Sequence, residues 1–163
     1  MRMTHKKPIL ILGSNSFSAT SFIEYLLSAG YKVIGVSRSE EVTQVFRRYE
    51  TNSNLANFSF MQLDLREGSE AIAEIVNAKQ IEYIFNFAAQ SMVGESWHNP
   101  SDWFMTNVVS TIKLHDVLRK CDFLKRYVHV STPEVYGSCS GFVDEEFPFN
   151  PSTPYAVSRA AAD

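Results

Sequence analysis

A turn of small residues with the sequence GSNSFSA occupies positions 13–19, between an apolar run and a segment of helical periodicity. Backbone N–H groups at such a turn, together with the N-terminus of the following helix, bind phosphate groups. The spacing of Gly13, Ser16 and Ala19 corresponds to the glycine-rich turn of dinucleotide sites, with two of the three glycines replaced. The residues expected to contact the phosphates are Gly13, Asn15, Ser16 and Phe17. The alternative interpretation is a serine-rich turn whose hydroxyls only cap the helix.

The second apolar run is followed by Ser37, Arg38 and Ser39. In a dinucleotide site, residues at this point are expected to contact the ribose. A carboxylate at this point usually binds the 2′-hydroxyl of NAD. An arginine beside two hydroxyls suits a 2′-phosphate better, through charge-assisted hydrogen bonds. We therefore expect NADP, with NAD as the alternative, and place Ser37 and Arg38 in its site. Arg38 could instead be an ordinary solvated loop residue.

Three further segments carry polar groups after predicted strands: NFAAQS at 86–91, VSTPEVYG at 130–137 and PSTPYAVSR at 151–159. Together they resemble the extended short-chain dehydrogenase/reductase family. Within that family the chain is most similar to nucleotide-sugar 4,6-dehydratases of the GDP-mannose or dTDP-glucose type, and to nucleotide-sugar 4-epimerases. The similarity covers essentially all of the chain. It implies an enzyme that oxidises a nucleotide-sugar at C4 by hydride transfer to a bound nicotinamide, eliminates water and returns the hydride.

The resemblance also implies roles for individual residues. Tyr155 matches the base that takes the sugar hydroxyl proton, and Arg159 the cation that holds the cofactor ribose. Thr132 matches the hydroxyl partner of that base, and Glu134 the group that removes the C5 proton. Further positions that match the cofactor site are Asp64, Leu65, Asn86, Phe87, Ala88, Ala89 and Ser91, and Thr106-Asn107 matches a conserved pair of the family's long helix. On the simpler interpretation Glu134 is a solvated acid, Tyr155 a helix-entry aromatic and Asp64 a turn residue.

Two positions depart from the family pattern. Arg159 stands where a lysine is usual; it keeps the charge, but its planar fork differs from a compact ammonium group. Pro133 stands where dehydratases often carry an acid, and proline cannot protonate the leaving C6 hydroxyl. Epimerisation therefore stays open, as does a non-catalytic dinucleotide-binding protein. Relatives run to about twice this length, so we expect residues 1–163 to be a truncated NAD(P)-binding domain without the substrate domain.

Alternating apolar runs and helical stripes predict the elements that position these residues. Strands are predicted at 8–12, 32–36, 58–63, 82–87 and 126–131, and helices at 16–29, 42–49, 72–76, 101–120 and from 155 onward. Continuous apolar strands are typical of parallel sheets buried on both faces. The predicted fold is an α/β doubly wound parallel sheet of the Rossmann type, with three αβα layers. By the resemblance, the last two helices pair in a homodimer.

Composition excludes several classes of function. The chain has 163 residues, a net charge of −3 and 45% hydrophobic residues, which suits one globular domain. The even charge balance argues against a nucleic-acid partner. Two cysteines and the scattered His5, His98, His115 and His129 give no metal-ligand spacing. The apolar runs are too short for a membrane span, and residues 1–12 indicate a first strand rather than a signal peptide, so we expect a cytoplasmic protein.

Overall fold

Five parallel strands form the centre of the molecule in the computed structural model, which describes residues 7–163. The strands are β1 (Ile9–Leu12), β2 (Val33–Ser37), β3 (Phe58–Gln62), β4 (Tyr83–Asn86) and β5 (Arg126–His129). Their order across the sheet is β3-β2-β1-β4-β5. All five strands lie where the apolar runs predict them. The order reverses between β1 and β4, which is the switch point where open α/β sheets bind ligands.

Helices cover both faces of this sheet, as the doubly wound prediction requires. They are α1 (Phe17–Ser28), α2 (Ser69–Lys79), α3 (Pro100–Trp103), α4 (Ser110–Leu118) and α5 (Pro154–Ala160). A π-helical segment, Phe104–Val109, joins α3 to α4. The predicted helix at 101–120 is therefore present, with a wider turn in its middle.

The alternation of side chains along β1 divides the core in two. Leu10 and Leu12 pack into a cluster with residues of α2 and α4. Ile9 and Ile11 pack on the other face against α1, including Ile23. Burial of each such aliphatic side chain contributes roughly 1.5–3 kcal/mol to stability. The two clusters confirm the three-layer αβα architecture and hold the carboxyl ends of the strands in fixed positions.

The predicted helix at 42–49 is wrong. The structure has only a short 3₁₀ turn there, Gln44–Phe46, and the side chains of Val45 and Phe46 are exposed. Only Tyr49 of the predicted apolar stripe is fully buried. β-Branched residues near the start of the segment weaken helix formation. In addition, the Arg47 Nε atom donates to the Val42 carbonyl (2.6 Å), a bond that holds the chain in a compact loop.

Candidate active site and cofactor cleft

The small-residue turn after β1 lies at the switch point and approaches the chain after β4 very closely. Gly13 has φ +72°, and a Cβ atom there would lie 2.4 Å from the Ala88 backbone nitrogen. The N–H groups of Gly13 and Ser14 both donate to the Val36 carbonyl, at 2.8 and 3.1 Å. Only glycine fits a backbone this close at a positive φ. The turn is thus fixed against both neighbouring strands.

Ser16 caps α1, because its Oγ atom accepts a hydrogen bond from the Ala19 N–H at 3.2 Å. This is the capping role that the simpler interpretation of the turn gives to its serines. A hydroxyl that accepts such a bond still has its own proton to donate. Ser16 also lines the cleft described next, so capping and phosphate binding are compatible at this position.

A cleft of about 260 Å³ opens at the carboxyl ends of β1, β2, β3 and β4. Its lining consists of Gly13, Asn15, Ser16, Val36, Ser37, Arg38, Ser39, Leu63, Asp64, Leu65, Phe87, Ala88, Ala89 and Thr106. Most of the residues predicted to bind a cofactor are therefore together in one place. The predicted residues Phe17, Asn86, Ser91, Tyr155 and Arg159 lie outside this lining. The side chain of Phe17 is 72% exposed, with the Arg48 guanidinium carbon 4.4 Å from its ring centre.

The wall formed by the loop after β3 is held by Arg66, a residue that the sequence analysis does not identify. The backbone N–H of Arg66 donates to Asp64 Oδ1 at 2.9 Å. Its Nε atom donates to Thr106 Oγ1 at 2.9 Å, and Nη2 donates to Asp102 Oδ1 at 3.0 Å. Arg66 therefore joins the two sides of the cleft around Asp64 and Thr106. Nothing in the local sequence indicates this pairing, because the partners are 36 and 40 residues away.

The floor after β4 depends on Asn86, which is buried. Its Oδ1 atom accepts from the Ala88 N–H at 2.9 Å, and its Nδ2 donates to the Tyr127 hydroxyl at 2.7 Å. Asn86 therefore fixes the backbone at Ala88, which lines the cleft. Burial raises the pKa of Tyr127 to about 12. Tyr127 is consequently a neutral structural partner over the physiological range.

Thr132 and Glu134 lie in the loop that follows β5. Thr132 is the N-cap of a 3₁₀ turn, Pro133–Tyr136, and its Oγ1 accepts from the Glu134 N–H at 3.4 Å. Pro133 takes the first position of that turn, where its missing N–H costs nothing. The turn packs against α5, which carries Tyr155. The structure therefore brings the three residues predicted to act on the substrate to one region.

Tyr155 lies in the first turn of α5, and its backbone is held from two directions. Thr153 caps the helix by accepting from the Ala156 N–H at 3.0 Å. The Tyr155 N–H donates to Ser96 Oγ at 3.2 Å. One turn later, the Ser158 hydroxyl binds the side chain of Asn107 in the π-helical segment (2.9 Å). Asn107 in turn accepts from the Gln90 N–H at 2.8 Å, so it ties α5 to the loop after β4.

Arg159 is 2% exposed and has an incomplete set of hydrogen bonds. Its Nη2 atom donates to the Val130 carbonyl, while Nε and Nη1 are buried with no partner among residues 7–163. Burial lowers the pKa of Arg159, and the nearby Tyr155 and Asp163 oppose that shift. A buried guanidinium with unpaired N–H groups is costly. Arg159 therefore has donor capacity that the described residues leave unused, but Nε and Nη1 are closed off from the cleft.

Within residues 7–163, His, Cys, Asp and Glu side chains form no group of three or more that could hold a metal ion. None of the helices in this part of the chain has the length and apolar composition of a membrane span. His5 lies outside this described part of the chain. Cys121 is buried and Cys139 is exposed, and both are free thiols.

The parallel sheet with helices on both faces is a Rossmann-like fold, the architecture of the short-chain dehydrogenase/reductase class. Comparison with protein families gives a more particular result. The sequence model described as GDP-mannose 4,6 dehydratase matches residues 10–163, so the chain belongs to that family.

Individual relatives agree with this assignment. The dTDP-glucose 4,6-dehydratase of Xanthomonas campestris pv. campestris (strain B100) is 30% identical over 94% of the chain and 46% of the relative. The human dTDP-D-glucose 4,6-dehydratase is 30% identical over 96% of the chain and 45% of the relative. The chain thus spans about half the length of the curated relatives it matches.

Solved structures show the same architecture. DesIV, a dTDP-glucose 4,6-dehydratase from Streptomyces venezuelae with NAD and TYD bound, superposes with a TM-score of 0.82 at 29% identity, covering 95% of this chain and 49% of DesIV. The UDP-Glc/GlcNAc 4-epimerase of Campylobacter jejuni has a TM-score of 0.83 at 22% identity, covering 96% and 46% of the two chains. The second likeness concerns the fold alone.

Proposed function

We propose that the protein is an NAD(P)-dependent nucleotide-sugar 4,6-dehydratase, and that residues 1–163 form its cofactor-binding domain. The substrate domain then lies outside these residues. The observation that carries the proposal is the packing of α5, with Tyr155 and Arg159, against the turn that holds Thr132 and Glu134. The dehydratase names of the relatives support the same reaction. A nucleotide-sugar 4-epimerase is the second candidate, because Pro133 removes a possible acid from the site.

The side chains divide the chemistry as follows. A bound nicotinamide would supply the hydride chemistry, as acceptor from C4 and donor to C6 of the sugar. The phenolate form of Tyr155 takes the proton of the C4 hydroxyl as general base and becomes a neutral phenol, with the positive charge of Arg159 one helical turn away. The Thr132 hydroxyl binds the same sugar oxygen. Glu134 removes the C5 proton and can return it to the departing C6 hydroxyl, which leaves as water; Pro133 has no proton to give.

Arg38 and Ser39 on the cleft wall favour NADP as the cofactor. The residue that ends β2 is Ser37, so no carboxylate stands where an acid would bind the 2′-hydroxyl of NAD. Ser37 instead accepts the Asn15 N–H at 3.1 Å. DesIV was crystallised with NAD, and NAD is therefore the alternative.

The exposed apolar side chains of the helices after β4 favour a homodimer. Phe104, Met105 and Ile112 are 36–62% exposed, and Val157 of α5 is 38% exposed. Paired helices from two copies would cover these side chains. We accordingly propose a cytoplasmic homodimer that binds a nucleotide-diphosphate sugar.

Turnover of nucleotide-sugars by the full-length protein tests the proposed function. GDP-, dTDP-, UDP- and CDP-hexoses are supplied in turn, and the products are examined for a 4-keto-6-deoxy sugar or a 4-epimer. We expect a 4-keto product, and a Tyr155→Phe variant that loses turnover by a factor of about 100 or more while binding cofactor within a few-fold. Native mass spectrometry of the same protein reports the retained cofactor and the dimer.

The outcomes separate the candidates. An epimer without a keto product favours the second candidate. No product from any nucleotide-sugar, with cofactor still bound, supports a non-catalytic dinucleotide-binding protein and contradicts the proposal. Unfolding of Tyr155→Phe, measured by circular dichroism, would show that this tyrosine is structural.

A further inference from the structure

The side chain of Asn15 joins the turn after β1 to the loop after β2. Its Nδ2 atom donates to Ser39 Oγ at 3.0 Å and to the Glu40 carbonyl at 2.7 Å. Its Oδ1 atom accepts from the Val42 N–H at 3.3 Å. An amide has two N–H donors, and both are used here. Asn15 therefore lines the cleft without a free donor for a phosphate.

The loop that Asn15 holds has little other support on the cleft side. Residues 38–40 are exposed and belong to no helix or strand. Gln62 Nε2 donates to the Arg38 carbonyl at 3.0 Å, and Arg47 Nε binds the Val42 carbonyl from the far side. Between these two anchors, the Glu41 side chain binds Tyr49 and Arg47, and the bonds from Asn15 hold the backbone on the cleft side. Ordering an exposed loop costs conformational entropy, which a ligand must otherwise overcome when it binds.

Arg38 and Ser39 are the residues whose position depends on this support. Both line the cleft directly beside the segment that Asn15 holds. They carry the charge and the hydroxyl that suit a phosphate on the 2′-position of an adenosine ribose. A loop that moves by an ångström or two would lose this contact while leaving the phosphate turn at Gly13 intact.

We infer that Asn15 is a positioning residue that determines cofactor selectivity, because it holds the loop 39–42 where Arg38 and Ser39 can bind a ribose 2′-phosphate. The inference rests on the proposed cofactor-binding function. It differs from the role expected from the sequence, in which Asn15 touches the cofactor itself. The distinction is measurable, since loss of a positioning residue weakens NADP binding selectively, whereas loss of a diphosphate contact weakens NADP and NAD alike.

The first experiment tests the loop without any cofactor. Hydrogen exchange is followed by mass spectrometry on peptides that cover residues 38–46, in the full-length protein and in Asn15→Ala. We expect exchange of the Val42 amide to accelerate by about tenfold or more, because its acceptor is removed. Asn54→Ala is the matched control: Asn54 Nδ2 donates to the Leu27 carbonyl at 2.9 Å, away from the cleft. That control should leave exchange at 38–46 unchanged.

The second experiment measures dissociation constants for NADP and NAD by calorimetry. We expect Asn15→Ala to weaken NADP about tenfold and NAD about twofold or less, and Asn54→Ala to change neither. Asn15→Ser, which keeps a small polar residue typical of this turn, should act in the same direction if Asn15→Ala folds poorly. Unchanged exchange at Val42 would overturn the inference, and so would equal weakening of the two cofactors. Failure of the unmutated protein to bind either cofactor contradicts the proposed function instead, and the exchange result still decides whether Asn15 holds the loop.

Discussion

Arg38 is the one cation among the described residues that line the cleft, and Asp64 is the one acid. The two follow different strands, so a ligand between them meets opposite charges at different positions. A direct phosphate contact by Arg38 is a charge-assisted bond, which is worth roughly 1.5–3 kcal/mol. NADP and NAD differ only by the phosphate that such a bond would recognise. Arg38 thus offers the sharpest single-residue test of cofactor choice.

We expect Arg38→Ala to weaken NADP binding by about 10- to 100-fold and NAD binding by about twofold or less. Fluorescence or calorimetric titration of both cofactors checks this. Arg48→Ala is the matched control, because Arg48 stacks on Phe17 outside the cleft lining. Comparable losses for the two cofactors in Arg38→Ala would contradict a 2′-phosphate contact.

Arg159 shows what residue types alone leave undetermined. The spacing of Tyr155 and Arg159 by four residues predicts that both face one side of a helix. The structure adds that the guanidinium donates to the Val130 carbonyl and keeps two buried N–H groups unpaired. A lysine ammonium lacks the planar fork that makes this division possible. Arg159 therefore anchors the end of β5 through one nitrogen, while its two unpaired N–H groups are enclosed by the described residues.

The strands are predictable because apolar runs mark them, although only β1 and β2 are buried along their whole length, and β3 and β5 are partly exposed. The helix predicted at 42–49 does not form. Side-chain hydrogen bonds hold this segment as a loop despite its apolar stripe. Val45 and Phe46 belong to that stripe, yet both are exposed. Local periodicity carries no information about Arg47 or Asn15, whose bonds shape this loop.

The candidate site follows the same division. Residues directly after strands, such as Ala88 and Asp64, reach the cleft because parallel strands end at one edge of the sheet. Arg66 escapes prediction because its partners lie on a distant helix. The π-helical turn at Asn107 likewise has no simple sequence signal, although such turns frequently occur at functional sites.

The close approach of the turn after β1 to the chain after β4 is testable with two glycines of similar backbone conformation. Gly13 (φ +72°) would place a Cβ atom 2.4 Å from the Ala88 nitrogen, whereas a Cβ atom on Gly30 (φ +75°) would meet nothing within 4 Å beyond its own chain neighbours. Gly30→Ala should lower the free energy of unfolding only by the cost of a side chain at positive φ, about 1–2 kcal/mol. Gly13→Ala should lower the free energy of unfolding clearly more, because β1 and β4 must separate to make room for the Cβ atom. Denaturant unfolding of both variants measures the difference; equal losses would show that the contact with Ala88 adds nothing.

At the scale of the whole molecule, the His129 side chain at the end of β5 makes the free energy of unfolding depend on pH. Burial and the Arg159 charge lower the pKa of His129 to about 4, while Asp163 opposes the shift. Burial also lowers the pKa of His115, which packs edge-on against Tyr127. Both histidines are therefore neutral in the folded protein at neutral pH. In the unfolded chain they regain an ordinary pKa near 6.5 and bind protons more readily.

The free energy of unfolding should consequently fall as the pH drops from 6.5 towards 4, because the unfolded chain takes up protons that folded His129 excludes. At pH above 6.5 this contribution is constant, since His129 is neutral in both states. His129→Gln removes the titrating group and should flatten the decline, leaving the smaller part due to His115. His98→Gln, at an exposed position, is the control and should keep the full decline. Urea unfolding of the unmutated protein and of both variants at pH 5 and pH 7 gives the three differences needed. An unchanged decline in His129→Gln would mean that His129 binds a proton equally well in the folded and the unfolded protein. Its side chain would then be open to water in the folded protein.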